Sequence, residues 1–207
     1  MVTHYPDGIV IGGSDCPNSY PRLEVPDQQH RLLSLGPCDG YAPGEGAAFI
    51  ALTASAENAM VHNGQVIQVR APALGEEVGH WFSDEPYRGE GLDQAIKGAL
   101  GPVSDAQIDG IYSSANGERY WAKEMGVVQI RNNDRWQNSV RVVHPAEYYG
   151  DLGCATAPAL IALASQELFW RANHKRYLVY SSSDAGLRGA VVLEKQSLSC
   201  LDEGDRE

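Results

Sequence analysis

The chain has 207 residues, of which 43% are hydrophobic, and its formal net charge is -11 at pH 7. A chain of this size and composition can bury a sizeable core, so we expect one globular domain. The excess of acidic residues argues against a nucleic-acid-binding protein, because that binding depends on cationic side chains that displace counterions from phosphates.

The cysteines and histidines give no sign of a metal or cofactor site. The cysteines Cys16, Cys38, Cys154 and Cys200 form no Cys-x-x-Cys pair, and the histidines lack the spacing of metal ligands. This pattern favours reduced thiols in a cytoplasmic protein. The sequence also has no signal-peptide pattern and no apolar run of the ~18 residues that a membrane span needs. We therefore expect a cytoplasmic protein without metal, cofactor or membrane segment.

The first third of the chain predicts strands and irregular segments. Residues 8–13 are a short apolar run that ends in two glycines, which predicts a buried strand entering a loop. Residues 14–39 contain four prolines and little periodicity, which predicts a long irregular connection. Residues 47–53 and 65–70 both have strand patterns, and together they indicate a hairpin.

The middle of the chain alternates helix and strand patterns. A helix is predicted over residues 89–100, where a Gly-Pro pair ends it, and a second helix over residues 118–125, where Gly126 ends it. Residues 108–113 between them predict a strand. This alternation is typical of an α/β domain.

The C-terminal third predicts the core helix and the closing strands. Residues 154–171 are apolar on nearly all sides as far as Leu163, and a helix with no polar face belongs in the interior. Residues 177–180 and 189–195 predict two strands separated by a polar glycine turn.

The order of elements predicts one α/β domain in which a mixed sheet is layered with helices. We expect this domain to span residues 1–196. Residues 197–207 are acidic and have no core-forming pattern, so we expect them to form a disordered tail.

Four segments have glycine-rich or small-residue patterns: residues 40–49 (GYAPGEGAAF), 113–118 (SSANGE), 144–158 (HPAEYYGDLGCATAP) and 181–190 (SSSDAGLRGA). In this order they resemble the Gly-Glu-Gly-Ala segment, the two catalytic-histidine loops and the glycine-rich last hairpin of β-ketoacyl synthases, which belong to the thiolase superfamily. The resemblance covers residues 8–196 and only the second half of that two-half fold. It implies a thiolase-like half-fold with a buried central helix.

The same resemblance implies that the catalytic residues are replaced. Asn116 and Asp151 stand where the family has its two histidines, and Ala146 stands where it has a lysine. Asparagine donates hydrogen bonds but cannot exchange a proton, and an aspartate is an acceptor-only anion at neutral pH. An anion next to a developing oxyanion is repulsive. We therefore expect no catalytic residue at these positions and no condensing activity.

Cys154 leaves a different reaction open. It lies at the predicted start of the central helix, where backbone amides and the helix dipole favour a thiolate, so it is the alternative nucleophile. The other interpretation is a small residue at a tight contact between helix and loop, which the neighbouring Gly153 and Ala155 favour.

Three segments narrow the resemblance: residues 117–124 (GERYWAKE), 144–151 (HPAEYYGD) and 184–189 (DAGLRG). They look less like true ketosynthases than like bacterial thiolase-like proteins encoded beside type VI secretion spike and effector proteins. This similarity implies an accessory or adaptor role in effector loading.

Three functional hypotheses follow. The chain is a non-catalytic adaptor in effector delivery, a non-catalytic partner subunit of a β-ketoacyl synthase, or an acyltransferase that uses Cys154 or a cysteine of another chain. We also expect a protein partner, because half of a thiolase fold would expose a large apolar patch. That partner would be a separate first-half polypeptide, an effector or spike protein, or a second copy of the chain.

Overall fold

The computed structural model describes residues 8–34, 39–70, 72–101 and 107–198. The strands are β1 (Ile9–Asp15), β2 (Gly46–Leu52), β3 (Gln65–Val69), β4 (Ala73–Glu76), β5 (Ile108–Ser113), β6 (Trp136–Val143), β7 (Arg176–Ser182) and β8 (Leu187–Ser197). The α-helices are α1 (Tyr20–Gln28), α2 (Glu90–Leu100), α3 (Arg119–Arg131), α4 (Ala146–Tyr149) and α5 (Thr156–Trp170).

Six of the strands form one mixed sheet. Its order is β3-β8-β7-β5-β6, and β4 also pairs with β8. Strand β5 runs parallel to β6 and β7, whereas β7 and β8 form an antiparallel hairpin. Side chains alternate along β7, so Leu178 and Tyr180 enter one buried cluster while Tyr177 and Val179 enter the other. Both faces of the sheet are therefore covered.

Helices cover the two faces of this sheet. On one face, α2 and α3 contribute buried apolar residues, which include Leu92, Ile96, Ala99, Met125 and Val128. On the other face, α5 contributes Leu160, Ala164 and Leu168. The predicted α/β architecture, a mixed sheet layered with helices, is confirmed.

Strands β1 and β2 form a separate two-stranded antiparallel ribbon. The ribbon packs on α5, which therefore lies between the sheet and the ribbon. The prediction of a core helix over residues 154–171 is confirmed in its position, but the helix is not buried on all sides. Leu163 is 36% exposed and Trp170 is 72% exposed, because the ribbon is only two strands wide.

Pairing between distant segments changes the predictions for the first third of the chain. The predicted hairpin of residues 47–53 and 65–70 is wrong, because β2 pairs with β1 and β3 pairs with β8. The buried strand predicted at residues 8–13 is β1, but Val10 and Ile11 on it are 59% and 39% exposed. An apolar run alone does not determine what covers a strand.

The predicted irregular connection contains α1, a helix with no buried residue. Pro21 lies in its first turn, where a backbone N–H has no partner within the helix, so proline is tolerated there. Arg22 on α1 forms an exposed ion pair with Asp15 at 2.5 Å.

The predictions for α2, β5, β7 and β8 are confirmed, and the predicted end of α3 is wrong. Helix α3 continues through Gly126 to Arg131, because a single glycine costs a helix only about 1 kcal/mol. Strand β8 extends to Ser197, and the Leu198 amide donates a hydrogen bond to the Gly64 carbonyl. Residues 199–207 of the predicted tail lie outside the described residues. Strands β4 and β6 were not predicted.

None of the helices in the described ranges is long and apolar enough to cross a membrane.

Candidate functional site

A cleft of about 540 Å³ lies where β5 and β7 end and α5 begins. Its lining includes Ser114, Asn116, Asp151, Cys154, Ser182 and Asp184. Among the described residues that line it there is no histidine, lysine or arginine. The described lining therefore offers carboxylates, hydroxyls, a side-chain amide and a thiol beside apolar side chains, and none of its side chains is cationic.

Two of the predicted site residues meet in this cleft. The Asn116 side-chain amide donates a hydrogen bond of 2.8 Å to Asp151 Oδ2, although the two residues are 35 positions apart. Asp151 Oδ1 accepts a second hydrogen bond of 2.9 Å from the Gly153 amide. Ala146, the third predicted position, begins α4 and does not line the cleft. The pair is thus an amide donor bound to an acceptor.

The backbone also fixes Asp151. Its amide donates a hydrogen bond of 2.8 Å to the Ala42 carbonyl, and its carbonyl accepts one of 2.8 Å from the Gly44 amide. Gly150 precedes it with a φ of 80°, and a Cβ there would lie 2.7 Å from the Ala42 oxygen. The loop that carries Asp151 is therefore held against the segment before β2.

The buried residue Arg31 is bound to carboxylates at the cleft, and no local sequence pattern predicts this role. Arg31 Nε and Nη2 donate to the Glu118 carboxylate at 2.7 and 2.9 Å, and Nη1 donates to Asp184 Oδ2 at 2.7 Å. The guanidinium also stacks on Trp81, 4.1 Å from the ring centroid. Glu118 in turn accepts a hydrogen bond of 3.2 Å from the Asn116 amide. Arg31 and Glu118 are 87 positions apart, so only the folded chain brings them together.

A second buried ion pair holds the β7 side of the cleft. Arg188 Nε donates to Glu124 Oε1 at 2.6 Å, and the Ser182 hydroxyl donates to Glu124 Oε2 at 2.7 Å. Burial raises the pKa of Glu124, and the charge of Arg188 opposes that rise. Both side chains are almost fully buried, at 0% and 1% exposure.

Cys154 lies in the single 3-10 turn Gly153–Ala155, directly before α5. Its thiol is exposed and donates a hydrogen bond of 3.1 Å to the Ser14 carbonyl. A Cβ on Gly13 would lie 2.2 Å from the Cys154 carbonyl oxygen, so the backbones of β1 and this turn are in close contact. The predicted tight contact thus involves the backbone of Cys154, which is also one of the residues that line the cleft.

Asp15 links both free cysteines of the described chain. Its carboxylate accepts hydrogen bonds from the Cys16 amide at 2.9 Å and the Cys154 amide at 3.3 Å. The backbone hydrogen bond from Cys154 lowers the pKa of Asp15. The Cys16 thiol donates a hydrogen bond of 3.0 Å to Glu45 Oε2. This hydrogen bond and the charge of the carboxylate raise the pKa of Cys16.

The contact between Cys16 and Glu45 predicts a measurable difference in thiol reactivity. Because Glu45 raises the pKa of Cys16, less thiolate is present at pH 8 than in an ordinary exposed cysteine. We expect Glu45→Gln to raise the alkylation rate of Cys16 about threefold or more, since the reactive fraction grows as the pKa falls. Peptide-resolved mass spectrometry after timed iodoacetamide labelling measures this. The Cys154 rate is the internal control, and an unchanged Cys16 rate would contradict the prediction.

Within the described residues, no group of three or more histidine, cysteine, aspartate or glutamate side chains is arranged to hold a metal ion. Asp151 and Glu118 each accept hydrogen bonds from several protein donors. The arrangement therefore provides hydrogen-bond acceptors and negative charge, and the described lining has no cationic side chain.

Comparison with known proteins gives matches in structure only. No family model matches the sequence, and no curated protein matches it either. The ishigamide ketosynthase/chain length factor superposes with a TM-score of 0.72 at 18% identity over 91% of this chain and 54% of that one. The chain has a thiolase-like ketosynthase fold.

Two further solved structures agree. A type II polyketide acyl-carrier protein in complex with its ketosynthase, AntDE:AntF, gives a TM-score of 0.76 at 13% identity over 91% of this chain and 56% of that one. A β-ketoacyl synthase from Burkholderia phymatum STM815 gives 0.71 at 15% identity over 92% and 55%. The chain thus spans about half the length of each of these ketosynthase-like chains, and identities this low establish the fold alone.

Proposed function

We propose that this ketosynthase-like chain is a non-catalytic accessory protein that acts through a protein partner. The observation that carries the proposal is the Asn116–Asp151 hydrogen bond in a cleft whose described lining has no histidine, lysine or arginine. A condensing enzyme needs groups that exchange protons and stabilise developing negative charge. The Asn116 amide cannot exchange a proton and already donates to Glu118 and Asp151, and the carboxylate charge opposes a developing oxyanion.

The contacts of Asp151 support a structural role for this residue. Its carboxylate is occupied by the Asn116 side chain and the Gly153 amide, and these bonds order the turn that leads into α5. A carboxylate there also carries a negative charge where a ketosynthase would have to stabilise an oxyanion, so it raises the barrier to condensation.

Exposed apolar surface on the ribbon and α5 supports the need for a partner. The outer face of the ribbon exposes Val10 and Phe49 at 59% and 63%, and α5 exposes Trp170 at 72%. A two-stranded sheet is marginally stable alone, and monomers rarely expose apolar patches larger than a few hundred Å². The match covers only 54–56% of each of these ketosynthase-like chains. The cover would thus be the remainder of such a fold, on this or a separate polypeptide, or another protein.

The resemblance of residues 117–124, 144–151 and 184–189 to thiolase-like proteins encoded beside type VI secretion genes makes the proposal more specific. On this basis the partner is an effector or spike protein, and the chain assists effector loading in the cytoplasm. The free thiols of Cys16 and Cys154 fit a reducing compartment.

The alternative is an acyltransferase, or the partner subunit of one, and one observation favours it. Cys154 is exposed and lines the same cleft as Asn116 and Asp151. However, its hydrogen-bond partner is the Ser14 carbonyl, and no base contacts it among the described residues. A cysteine nucleophile is activated by an adjacent base, a positively charged neighbour or a helix N-terminus, and the described contacts of Cys154 supply only the last of these. The non-catalytic proposal is therefore better supported.

The direct test is a condensation assay. We expect the purified chain to show no decarboxylation or condensation of malonyl and acyl thioesters, at least about 10⁴-fold below an ordinary enzyme, because the cooperating groups are absent. An active ketosynthase in the same assay is the positive control. Turnover within tenfold of the typical ~10 per second would refute the proposal, and its loss in Cys154→Ser would favour the acyltransferase.

The partner requirement has a separate test. We expect the purified chain to self-associate in light scattering across a dilution series and to bind a hydrophobic dye, because the ribbon and α5 expose apolar side chains. Phe49→Ser is expected to reduce both signals, while Glu57→Gln on the exposed turn before β3 leaves them unchanged. A monomer that binds no dye would show that this fold needs no cover.

A further inference from the structure

The charges around the cleft do not balance. Arg31 pairs with Glu118 and Asp184, and Asn116 connects Glu118 to Asp151, so this hydrogen-bonded network contains three carboxylates and one guanidinium. With all four groups ionised, this network has a net charge of -2. No cation among the described lining residues compensates it. An occupant with a positive charge would therefore be attracted to this cleft.

Both lining carboxylates keep acceptor capacity toward the cleft. A carboxylate offers about four lone-pair positions, and Asp151 uses three of them on Asn116, Gly153 and the more distant Thr156 hydroxyl. The side chain of Asp184 is 36% exposed even though it is paired with Arg31. A new donor therefore reaches a free lone pair on each.

The mouth of the cleft is apolar. Leu74 on β4 and Leu187 on β8 line it and are 67% and 56% exposed, and the two strands are hydrogen-bonded neighbours. A long side chain with an aliphatic stem and a charged end fits such a site, because the stem covers apolar surface while the end reaches the acceptors. A guanidinium fits better than an ammonium, since its planar donors bind a carboxylate in pairs.

We propose that the cleft binds an arginine side chain from a basic, partly apolar segment of the partner protein. Its stem lies against Leu74 and Leu187, and its guanidinium bonds Asp151 and Asp184. This inference rests on the proposed function, which requires a protein partner. On this proposal the partner carries a basic segment, and the cleft of this ketosynthase-like fold is a peptide-binding site.

The test uses two synthetic peptides, acetyl-Ala-Leu-Arg-Leu-Ala-amide and the same peptide with citrulline in place of arginine. Citrulline keeps the shape of the side chain but has no charge. Titration into the ¹⁵N-labelled full chain, followed by two-dimensional NMR, reports affinity and location together. We expect the arginine peptide to shift the Gly153 and Cys154 amides, and the citrulline peptide to bind at least about tenfold more weakly, as expected on losing a charge-assisted pair.

Matched variants separate charge from shape. Asp184→Asn is expected to weaken binding of the arginine peptide about fivefold or more, and Leu187→Ser is expected to weaken both peptides equally. Glu57 is exposed and is not one of the residues that line the cleft, so Glu57→Gln is expected to leave the binding of both peptides unchanged. The citrulline comparison uses the unchanged protein, so a variant that fails to fold does not affect it.

Three outcomes would overturn this inference. They are equal binding of the two peptides, no shift near Gly153 with the arginine peptide at millimolar concentration, or stronger shifts at the same amides with acetyl-pantetheine. These results are independent of the condensation assay. A chain that lacks turnover but ignores the arginine peptide would keep its accessory role and lose only this binding site.

Discussion

Glu124→Ala is expected to lower the free energy of unfolding by about 3–5 kcal/mol, because removing one partner leaves a buried charge without compensation. Arg188 would remain at 0% exposure without its carboxylate, and the Ser182 hydroxyl would lose its acceptor. Urea denaturation followed by circular dichroism measures the change. We also expect the variant to disturb the cleft, because Ser182, which loses its hydrogen-bond acceptor, is one of the lining residues.

Two controls sharpen this prediction. Glu85→Ala removes an exposed glutamate and is expected to change stability by less than about 0.5 kcal/mol. The double variant Glu124→Leu with Arg188→Met removes both charges, and replacement of a buried pair by apolar residues is often neutral or stabilising. It should therefore recover most of the loss. A loss below about 1 kcal/mol for Glu124→Ala would mean that this pair does not hold the hairpin.

Arg31→Met is expected to cost about 3 kcal/mol and to disturb the Asn116–Asp151 pair. The substitution leaves Glu118, which is 3% exposed, without its bidentate partner, and frees Asp184. Because Glu118 also accepts a hydrogen bond from Asn116, we expect the Gly153 amide resonance to move in the variant. Denaturation and NMR on the same sample test both parts.

The matched comparison is Arg22→Met. Arg22 pairs with Asp15 at 2.5 Å, but its side chain is 60% exposed, so its loss should cost no more than about 1 kcal/mol. Glu118→Gln added to Arg31→Met removes the buried charge and should recover part of the stability. If Arg31→Met and Arg22→Met lower the free energy of unfolding equally, burial does not make the Arg31 ion pair more stabilising than the exposed one.

Local sequence patterns were sufficient to predict the helices and strands that bury a regular apolar face. The apolar spacing of α2 and the short apolar runs of β5, β7 and β8 predicted those elements, because each one buries a regular face against the same sheet. The mixed, layered α/β fold follows from the order of these elements.

The site was predicted only through the family resemblance. Asn116 and Asp151 were recognised by the segments that carry them, and neither composition nor spacing shows that residues 35 positions apart share a hydrogen bond. Glu118 lies in a recognised segment, but Arg31 lies in none, so no local pattern indicated that the two residues form a pair. Their partnership depends on the loop after α1 reaching the start of α3.

By itself, the sequence determined the elements with strong local periodicity, and the family resemblance of its segments led to the prediction that Asn116 and Asp151 replace proton-exchanging residues. The tertiary structure decided that β1 pairs with β2 across a helix and a loop, that β3 joins β8, and that α5 keeps an exposed side. The physical reason is that strand partners and buried ion pairs are chosen by the free energy of contacts between distant segments. Those contacts leave little periodic trace in either segment.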